Sequence, residues 1–277
     1  MSRGRRAIRY GLVFAAGLVL GGAALAAGAN LVKTSTSKGT PILSVRPTGV
    51  GLPLVGASGT VGAGDYAQSL KNYHNSGAYR RDLQTVDSHA RSYIRRRVTG
   101  IRAAVARRCA RAKHSARPAR RQACSPRKPA LVLDIDETSL SNYKYISNSN
   151  FTNIVGALAL GVANADDPAI GPTLRLFNAA RSEGVAVFFI TGRPDNIPGV
   201  RSQTVKNLHS AGYNHWAGLS LNPGGVATVP YKSGERVKIE HKGYRIIANV
   251  GDQESDLQGG NADRAFKLPN PFYFIGP

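Results

Sequence analysis

Cysteine is nearly absent from this sequence of 277 residues, which contains only Cys109 and Cys124. Two cysteines are too few for a disulfide-rich scaffold or for a four-cysteine zinc module, so both classes are excluded. The sequence also lacks a Gly-X-Y repeat and a series of long apolar runs. These absences exclude a collagen-like protein and a polytopic membrane protein.

Acidic residues are scarce as well, with 16 Asp and Glu against 37 Lys and Arg, which gives a formal net charge of +21 at pH 7. Such a charge favours contact with phosphates, anionic lipids or acidic wall polymers, but it does not define a fold. The hydrophobic content of 42% over this length is enough to bury a sizeable core. Wholesale disorder is therefore excluded.

The amino-terminal residues have the order of an export signal. Arginines at positions 3, 5, 6 and 9 precede an uncharged run at 11–29 that ends in the small-x-small pattern Ala27-Gly28-Ala29. We expect residues 1–29 to be a signal peptide or, alternatively, an uncleaved membrane anchor. Export would leave the protein secreted or attached to the outer face of the membrane or to the cell wall. The Arg5-Arg6 pair also resembles a twin-arginine signal, and the choice between export routes stays open.

Residues 30–64 have the composition of a flexible linker. The segment contains no Asp or Glu, and over half of its residues are Gly, Pro, Ser or Thr. Such a segment has too little apolar surface to support a packed core. We therefore predict a linker here, between the export signal and the folded part of the chain.

A basic helical extension is predicted at 65–128. Between positions 79 and 105, apolar residues recur at the three-and-four spacing of one helical face. This pattern predicts a long helix whose apolar face packs on the core. The helix is either continuous or interrupted at Gly100. Residues 80–128 contain 16 Lys and Arg but only 2 acidic residues. This basic region is either a solvated surface or a contact for an anionic envelope polymer or lipid. No aromatic residue lies between positions 95 and 128, so no specific nucleic acid recognition is predicted.

Cys109 and Cys124 lie in this basic region. If the protein is exported, we expect the two to form a disulfide that closes an arginine-rich loop and adds about 3 kcal/mol of stability. Two free thiols are the alternative.

Three apolar segments in the second half of the chain each end in polar residues. The segment 130–136, read as a buried strand, ends in Asp134 and Asp136, two carboxylates on the same side of the chain. The strand at 185–190 is followed by Thr191-Gly192-Arg193, and the strand at 245–250 by Gly251 and Asp252. Open α/β sheets bind ligands at the carboxyl ends of their strands, so these groups predict one site. Paired buried carboxylates are tolerated where a cation binds or where one stays protonated.

The order and spacing of these motifs resemble the haloacid dehalogenase (HAD) superfamily of phosphohydrolases. Residues 134–143, DIDETSLSNY, resemble the first motif of its class B acid phosphatase-like branch (subfamily IIIB), which includes bacterial acid phosphatases and plant vegetative storage proteins. Residues 243–253 and KLPNP at 267–271 resemble the carboxyl-terminal signature of that branch. The resemblance implies an α/β fold with a Rossmann-like core and a parallel sheet in 129–277, with a small insert between the first two motifs.

The resemblance also implies the chemistry of a phosphomonoesterase. Asp134 would be the nucleophile that forms an aspartyl-phosphate, and Asp136 the general acid and base. Mg²⁺ would bind a carboxylate oxygen of Asp134, the backbone carbonyl of Asp136 and the carboxylate of Asp252, while Asp256 would orient a metal-bound water or a lysine. Thr191, with the N–H of Gly192, would hold the phosphoryl oxygens of a small phosphomonoester.

The same resemblance implies a lysine that neutralises the phosphate and the nucleophile. Lys232 is the first choice, because the pattern around it resembles that of the branch, and Lys238 is the second. Asp166 and Asp167, in the insert, could form a second cation site, but an acidic residue before a proline near a helix start is more simply interpreted as a helix cap. The sequence thus predicts an exported, Mg²⁺-dependent acid phosphatase. A non-catalytic basic envelope protein that binds polyanions on the same fold is the alternative.

Overall fold

The computed structural model describes residues 31–35, 41–45, 65–113 and 126–275. The predicted signal peptide or anchor at 1–29 lies outside these ranges, and so does Cys124, the second partner of the predicted disulfide. Within the described ranges, no helix combines the length and the apolar character that a membrane span needs.

A single sheet organises the described part of the chain. Its strands are β1 (Leu31–Ser35), β2 (Pro41–Val45), β3 (Lys128–Leu133), β4 (Ala186–Pro194), β5 (Gly218–Asn222), β6 (Tyr244–Gly251) and β7 (Ala265–Lys267). Their order across the sheet is β1-β2-β7-β6-β3-β4-β5, and every neighbouring pair is parallel except β1 with β2. The parallel core from β7 to β5 confirms the predicted α/β, Rossmann-like fold.

Helices connect these strands. They are α1 (Asp65–Asn75), α2 (Ala78–Lys113), α3 (Tyr143–Asn148), α4 (Ile154–Asn164), α5 (Gly171–Ser182), α6 (Val200–Ser210), α7 (Thr228–His241) and α8 (Glu254–Leu257). The insert predicted between the first two motifs consists of α3, α4 and α5, of which α5 leads directly into β4.

Helix α2 confirms the periodicity seen in the sequence. It runs without interruption through Gly100, where a Cβ atom would meet nothing within 4 Å. Its buried apolar side chains are those of the predicted stripe, namely Tyr79, Leu83, Val86, Ala90, Ile94 and Val98. These residues line the face that packs against α5 and the sheet.

Helices α1 and α2 share one hydrophobic core with the sheet. Leu70 and Tyr73 of α1 and Val86 of α2 belong to the same buried cluster as Leu131 of β3 and Phe266 of β7. The predicted boundary between the helical extension, 65–128, and the segment 129–277 therefore does not separate two hydrophobic cores.

The region predicted as a flexible linker, residues 30–64, contains β1 and β2. There β2 pairs with β7 and β1 pairs with β2, so at these ten positions the chain extends the sheet. The prediction from composition is wrong at these positions, because strand pairing uses backbone N–H and C=O groups and does not require the side chains of a packed core.

The three polar strand ends predicted from the sequence meet at one edge of the sheet. Strand β3 lies between β6 and β4, and all three run parallel. The backbone N–H of Asp134, the residue after β3, donates to the carbonyl of Val250 in β6 at 3.0 Å. The carboxyl ends of these strands therefore place Asp134, Thr191 and Asp252 side by side.

Candidate active site

A buried lysine lies between two carboxylates at this edge of the sheet. The Nζ atom of Lys232, on α7, lies 2.6 Å from Oδ1 of Asp134 and 2.6 Å from Oδ1 of Asp256. All three side chains are almost inaccessible to solvent. Lys238, the second choice for this role, lies on the surface and pairs with Glu235 at 2.6 Å. The structure thus brings Lys232, and not Lys238, to Asp134.

Burial and charge compete in this cluster. Burial alone would lower the pKa of Lys232, but Asp134 and Asp256 raise it above its ordinary value, so the lysine stays charged. Burial raises the pKa of Asp134, and the positive charge of Lys232 only partly offsets that effect because Asp256 and Asp252 lie nearby. One lysine is therefore not enough to balance the negative charge of the cluster.

Three carboxylates are placed to hold a cation. One oxygen from each of Asp134, Asp252 and Asp256 lies within 4.8 Å of the others, and all three residues are buried. Burial, followed by repulsion from Asp256, raises the pKa of Asp252 to about 6. A divalent cation would relieve this repulsion, and hard carboxylate oxygens suit Mg²⁺ or Ca²⁺. The donor set therefore fits a divalent metal ion.

Three side chains position Asp252. The Thr138 hydroxyl donates to Oδ1 at 3.0 Å, while the side-chain amides of Gln253 and Asn270 donate to Oδ2 at 2.5 Å and 2.7 Å. Asp256 is held as well, because the backbone N–H of Gln253 donates to its Oδ2 at 2.9 Å. These contacts fix the orientation of two of the three carboxylates.

Asp136 points towards an arginine. The Arg193 guanidinium donates from Nε and Nη2 to the Asp136 carboxylate at 2.7 to 3.2 Å, and the Asn142 amide donates to Oδ1 at 2.9 Å. Burial would raise the pKa of Asp136, but the charge and hydrogen bonds of Arg193 hold it below the ordinary value. The carboxylate of Asp136, predicted as the general acid and base, is therefore not part of the group of three carboxylates. The metal prediction for Asp136 concerned only its backbone carbonyl.

The phosphate-binding residues predicted from the second motif lie at the end of β4. Thr191 is fully buried, and its Oγ1 accepts from the backbone N–H of Arg193 at 3.2 Å. Gly192 is exposed, and a Cβ atom there would meet nothing within 4 Å. The end of β4 thus leaves the backbone at Gly192 open to solvent, as a ligand requires.

Arg193 was not predicted as a site residue from the sequence. The acidic pair in the insert, Asp166 and Asp167, also differs from its prediction. Arg193 is buried and reaches Thr204 as well as Asp136. Asp166 pairs with Lys144 on the surface, whereas Asp167 is buried with Nη2 of Arg193 at 3.7 Å. The cap interpretation is wrong, because the N-cap of α5 is a later residue, Ile170. An acidic pair before a proline gives no signal that would separate these two environments.

Comparison with known families decides the assignment. Residues 60–276 match the family described as HAD superfamily, subfamily IIIB (acid phosphatase). The chain belongs to this family. The match confirms the resemblance on which the sequence interpretation rests, and it extends over α1 and α2 as well as the parallel sheet.

Two plant proteins are similar to about half of this chain. Acid phosphatase 1 of Solanum lycopersicum is 38% identical over 151 residues, which are 52% of this chain and 58% of the tomato protein. Vegetative storage protein 1 of Arabidopsis thaliana is 33% identical over 150 residues, which are 52% of this chain and 54% of that protein. The similarity thus spans little more than half the length of these relatives.

A solved structure supports the fold of this subfamily IIIB chain. The class C acid phosphatase from Bacillus anthracis superposes with a TM-score of 0.51 at 19% sequence identity, covering 75% of this chain and 86% of the other. At that identity the similarity concerns the fold alone.

Proposed function

We propose that this protein is a phosphomonoesterase that hydrolyses small phosphate esters through an aspartyl-phosphate. The observation that supports this most is the position of Lys232, whose Nζ lies 2.6 Å from both Asp134 and Asp256 in a subfamily IIIB chain. A charged lysine beside a carboxylate nucleophile can attract the phosphate dianion towards it. The alternative of a purely polyanion-binding protein does not explain why such a cluster is buried at the strand ends.

The proposed reaction has two steps. A carboxylate oxygen of Asp134 attacks phosphorus in line, and the new O–P bond forms as the bond to the leaving oxygen breaks. Asp136 donates its proton to that leaving alkoxide. Water then attacks the phosphorus of the aspartyl-phosphate, Asp136 accepts the proton of the water, and inorganic phosphate is released while Asp134 is restored.

Neighbouring groups support these steps. Thr191, the N–H of Gly192 and Lys232 hold the phosphoryl oxygens, where negative charge is concentrated. Arg193 keeps Asp136 in place through a two-pronged contact. Arg193 also holds the pKa of Asp136 below its ordinary value, which favours the carboxylate form that accepts the proton of water in the second step.

We propose Mg²⁺ as the cofactor. Asp134, Asp252 and the backbone carbonyl of Asp136 would hold it, and Asp256 would orient its surroundings. Three buried carboxylates form the hard-oxygen donor set that Mg²⁺ prefers. Bound there, the ion would supply positive charge next to the reacting phosphoryl group.

Hydrolysis of a generic aryl phosphate by the purified protein tests this proposal. We expect turnover with Mg²⁺, a loss of roughly 10³-fold with a chelator and recovery when Mg²⁺ is added back, because a bound metal ion supplies several kcal/mol of transition-state stabilisation. Circular dichroism serves as the control that the chelated protein stays folded. If the folded protein shows no turnover from acidic to neutral pH, the result contradicts the proposal and favours polyanion binding.

We also propose that the protein is exported and that α2 attaches it to an anionic polymer of the cell envelope. The order of residues 1–29 supports export. The described part of α2 exposes Arg95 and Arg96 among other arginines, while its acidic Asp82 and Asp87 are buried. Contacts between exposed charges are screened by salt, so attachment of this kind weakens as ionic strength rises.

Cell fractionation tests both parts of this proposal. We expect the original protein in the envelope fraction, from which a salt wash releases it. The variant in which Arg95 and Arg96 are replaced by glutamine should leave the envelope fraction without added salt. The matched control replaces Lys206 and Lys242, two exposed lysines elsewhere on the surface, by glutamine. A cytoplasmic protein would contradict export. An exported protein whose release does not depend on salt would contradict the attachment.

A further inference from the structure

The Asp252 carboxylate is asymmetric in its hydrogen bonding. Its Oδ2 accepts two N–H groups, from Gln253 Nε2 at 2.5 Å and from Asn270 Nδ2 at 2.7 Å. Its Oδ1 accepts one hydrogen bond, from the Thr138 hydroxyl at 3.0 Å. A carboxylate oxygen has two lone-pair directions. Both directions of Oδ2 are therefore used, while Oδ1 keeps one for another ligand.

The carboxyl-terminal segment fixes the direction of both amides. The backbone N–H of Phe272 donates to Oδ1 of Asn270 at 2.9 Å, and that of Ile275 donates to Oε1 of Gln253 at 3.0 Å. Because each amide oxygen already accepts a backbone N–H, a flipped amide would place two donors against each other. The NH₂ groups must then face Asp252. Both side chains are buried, so water does not compete for these contacts.

We propose that Gln253 and Asn270 restrict Asp252 to binding a cation through one oxygen, and that this restriction selects Mg²⁺ over Ca²⁺. The inference rests on the divalent metal site proposed above and deepens it. Gln253 and Asn270 are positioning residues here, since they act through Asp252 and do not touch the reacting atoms. Neither amide is assigned any other role in the reaction.

The coordination chemistry of the two ions explains the expected selectivity. Mg²⁺ takes six ligands at 2.0–2.1 Å in a near-ideal octahedron, whereas Ca²⁺ takes six to eight oxygens and often binds both oxygens of one carboxylate. A carboxylate that offers a single oxygen suits the first ion and deprives the second of a ligand.

Calorimetric titration of the full chain with Mg²⁺ and separately with Ca²⁺ tests this inference without relying on activity. The variants are Asn270→Leu and Gln253→Met, which retain most of the side-chain volume and remove the N–H donors. We expect each variant to lose about tenfold in Mg²⁺ affinity, the usual effect of removing a group that orients a metal ligand. Ca²⁺ affinity should stay constant or rise, so the Mg²⁺/Ca²⁺ affinity ratio should fall by about tenfold or more.

Asn207→Leu is the matched control. Asn207 is also buried, and its side chain also makes two hydrogen bonds, but both of them are to the backbone of Asp167. Its affinity ratio should equal that of the original protein. If Asn270→Leu does not fold, Asn270→Ser takes its place beside Gln253→Met, because its shorter side chain lacks the amide N–H donor and places no methyl group against the Asp252 carboxylate.

The outcomes separate this inference from the proposed function. If the unmodified protein binds no divalent cation, the proposed metal dependence itself is contradicted. If it binds Mg²⁺ and the variants keep the original affinity ratio, only the role of the two amides is contradicted. A similar loss of affinity for both ions also overturns the selectivity, because it indicates general disturbance of the site.

Discussion

Replacing Asp134 by asparagine is expected to lower the rate of aryl phosphate hydrolysis by about 10⁴-fold or more, the range seen when a covalent nucleophile is removed. Asparagine keeps the shape of the side chain, but its amide lacks the charged oxygen that forms the bond to phosphorus. The measurement is kcat/KM with Mg²⁺ at the pH of maximal turnover by the original protein, with circular dichroism as the test of folding.

Asp166→Asn is the matched control for this substitution, since Asp166 is an exposed carboxylate paired with Lys144 on the insert. The rate of hydrolysis by this variant should stay close to that of the original protein. In the original protein, rapid acid quenching in the presence of the aryl phosphate should also leave a phosphoryl group on the peptide that contains Asp134. Undiminished turnover by folded Asp134→Asn would contradict the aspartyl-phosphate route.

Replacing Lys232 by methionine is expected to abolish turnover and to destabilise the metal-free protein. Methionine fills much of the space of the lysine stem but leaves Asp134 and Asp256 buried without the cation that contacts both at 2.6 Å. Removal of one partner from a buried ion pair costs about 3–5 kcal/mol. For a protein of this size, that corresponds to a fall of about 10 °C in the melting temperature. Kinetic assays and thermal unfolding in chelator measure the two effects.

The stability loss in the Lys232→Met protein should depend on pH. Burial already raises the pKa of Asp134 in the folded protein, and loss of the lysine charge raises it further. A carboxyl with a raised folded-state pKa binds more protons folded than unfolded, so stability falls as pH rises between the two pKa values. The melting temperature of Lys232→Met should therefore lie only slightly below that of the original protein in acidic solution. The difference should reach its maximum above the folded-state pKa of Asp134.

Lys238→Met is the matched control for Lys232→Met. Lys238 lies on the same helix, but its side chain is 69% exposed and pairs with Glu235. An exposed pair of this kind contributes at most about 1 kcal/mol, so activity and stability should change little. Equal effects of the two substitutions would contradict the role given to Lys232.

The sequence was sufficient to predict the parallel core, the long helix and the meeting of three strand ends. The long helix and the strand ends depend on a period or on a short motif within one segment, as in the apolar stripe of α2. The parallel core was expected from the resemblance of the motifs to the HAD superfamily. The choice of Lys232 over Lys238 came from the motif around it. The structure agrees with that choice because the two lysines face different sides of α7, one buried and one exposed.

Side-chain contacts between distant segments could not be predicted from the sequence. Arg193 and Asp136 are separated by 57 positions. Their pairing depends on how the end of β4 directs the long, flexible side chain of Arg193. The two amides that donate to Asp252 are those of Gln253 and Asn270, which belong to different segments of the chain. No sequence pattern indicates that both contact the same carboxylate. The pairing of β2 with β7 was missed because backbone hydrogen bonds carry no signature in hydropathy.

The packing of α2 on the last strand has a consequence for biosynthesis. Tyr93 of α2 lies against Phe266 with ring centroids 5.7 Å apart, and Arg97 pairs with Asp263 at 2.8 Å. Helix α2 is synthesised early, but these partners are made more than 160 positions later. Native contacts so distant in sequence close only after most of the chain exists, which slows folding. Helix α2 therefore cannot complete its packing until the carboxyl-terminal strand has been synthesised, so the core of the protein is completed late in translation or after it.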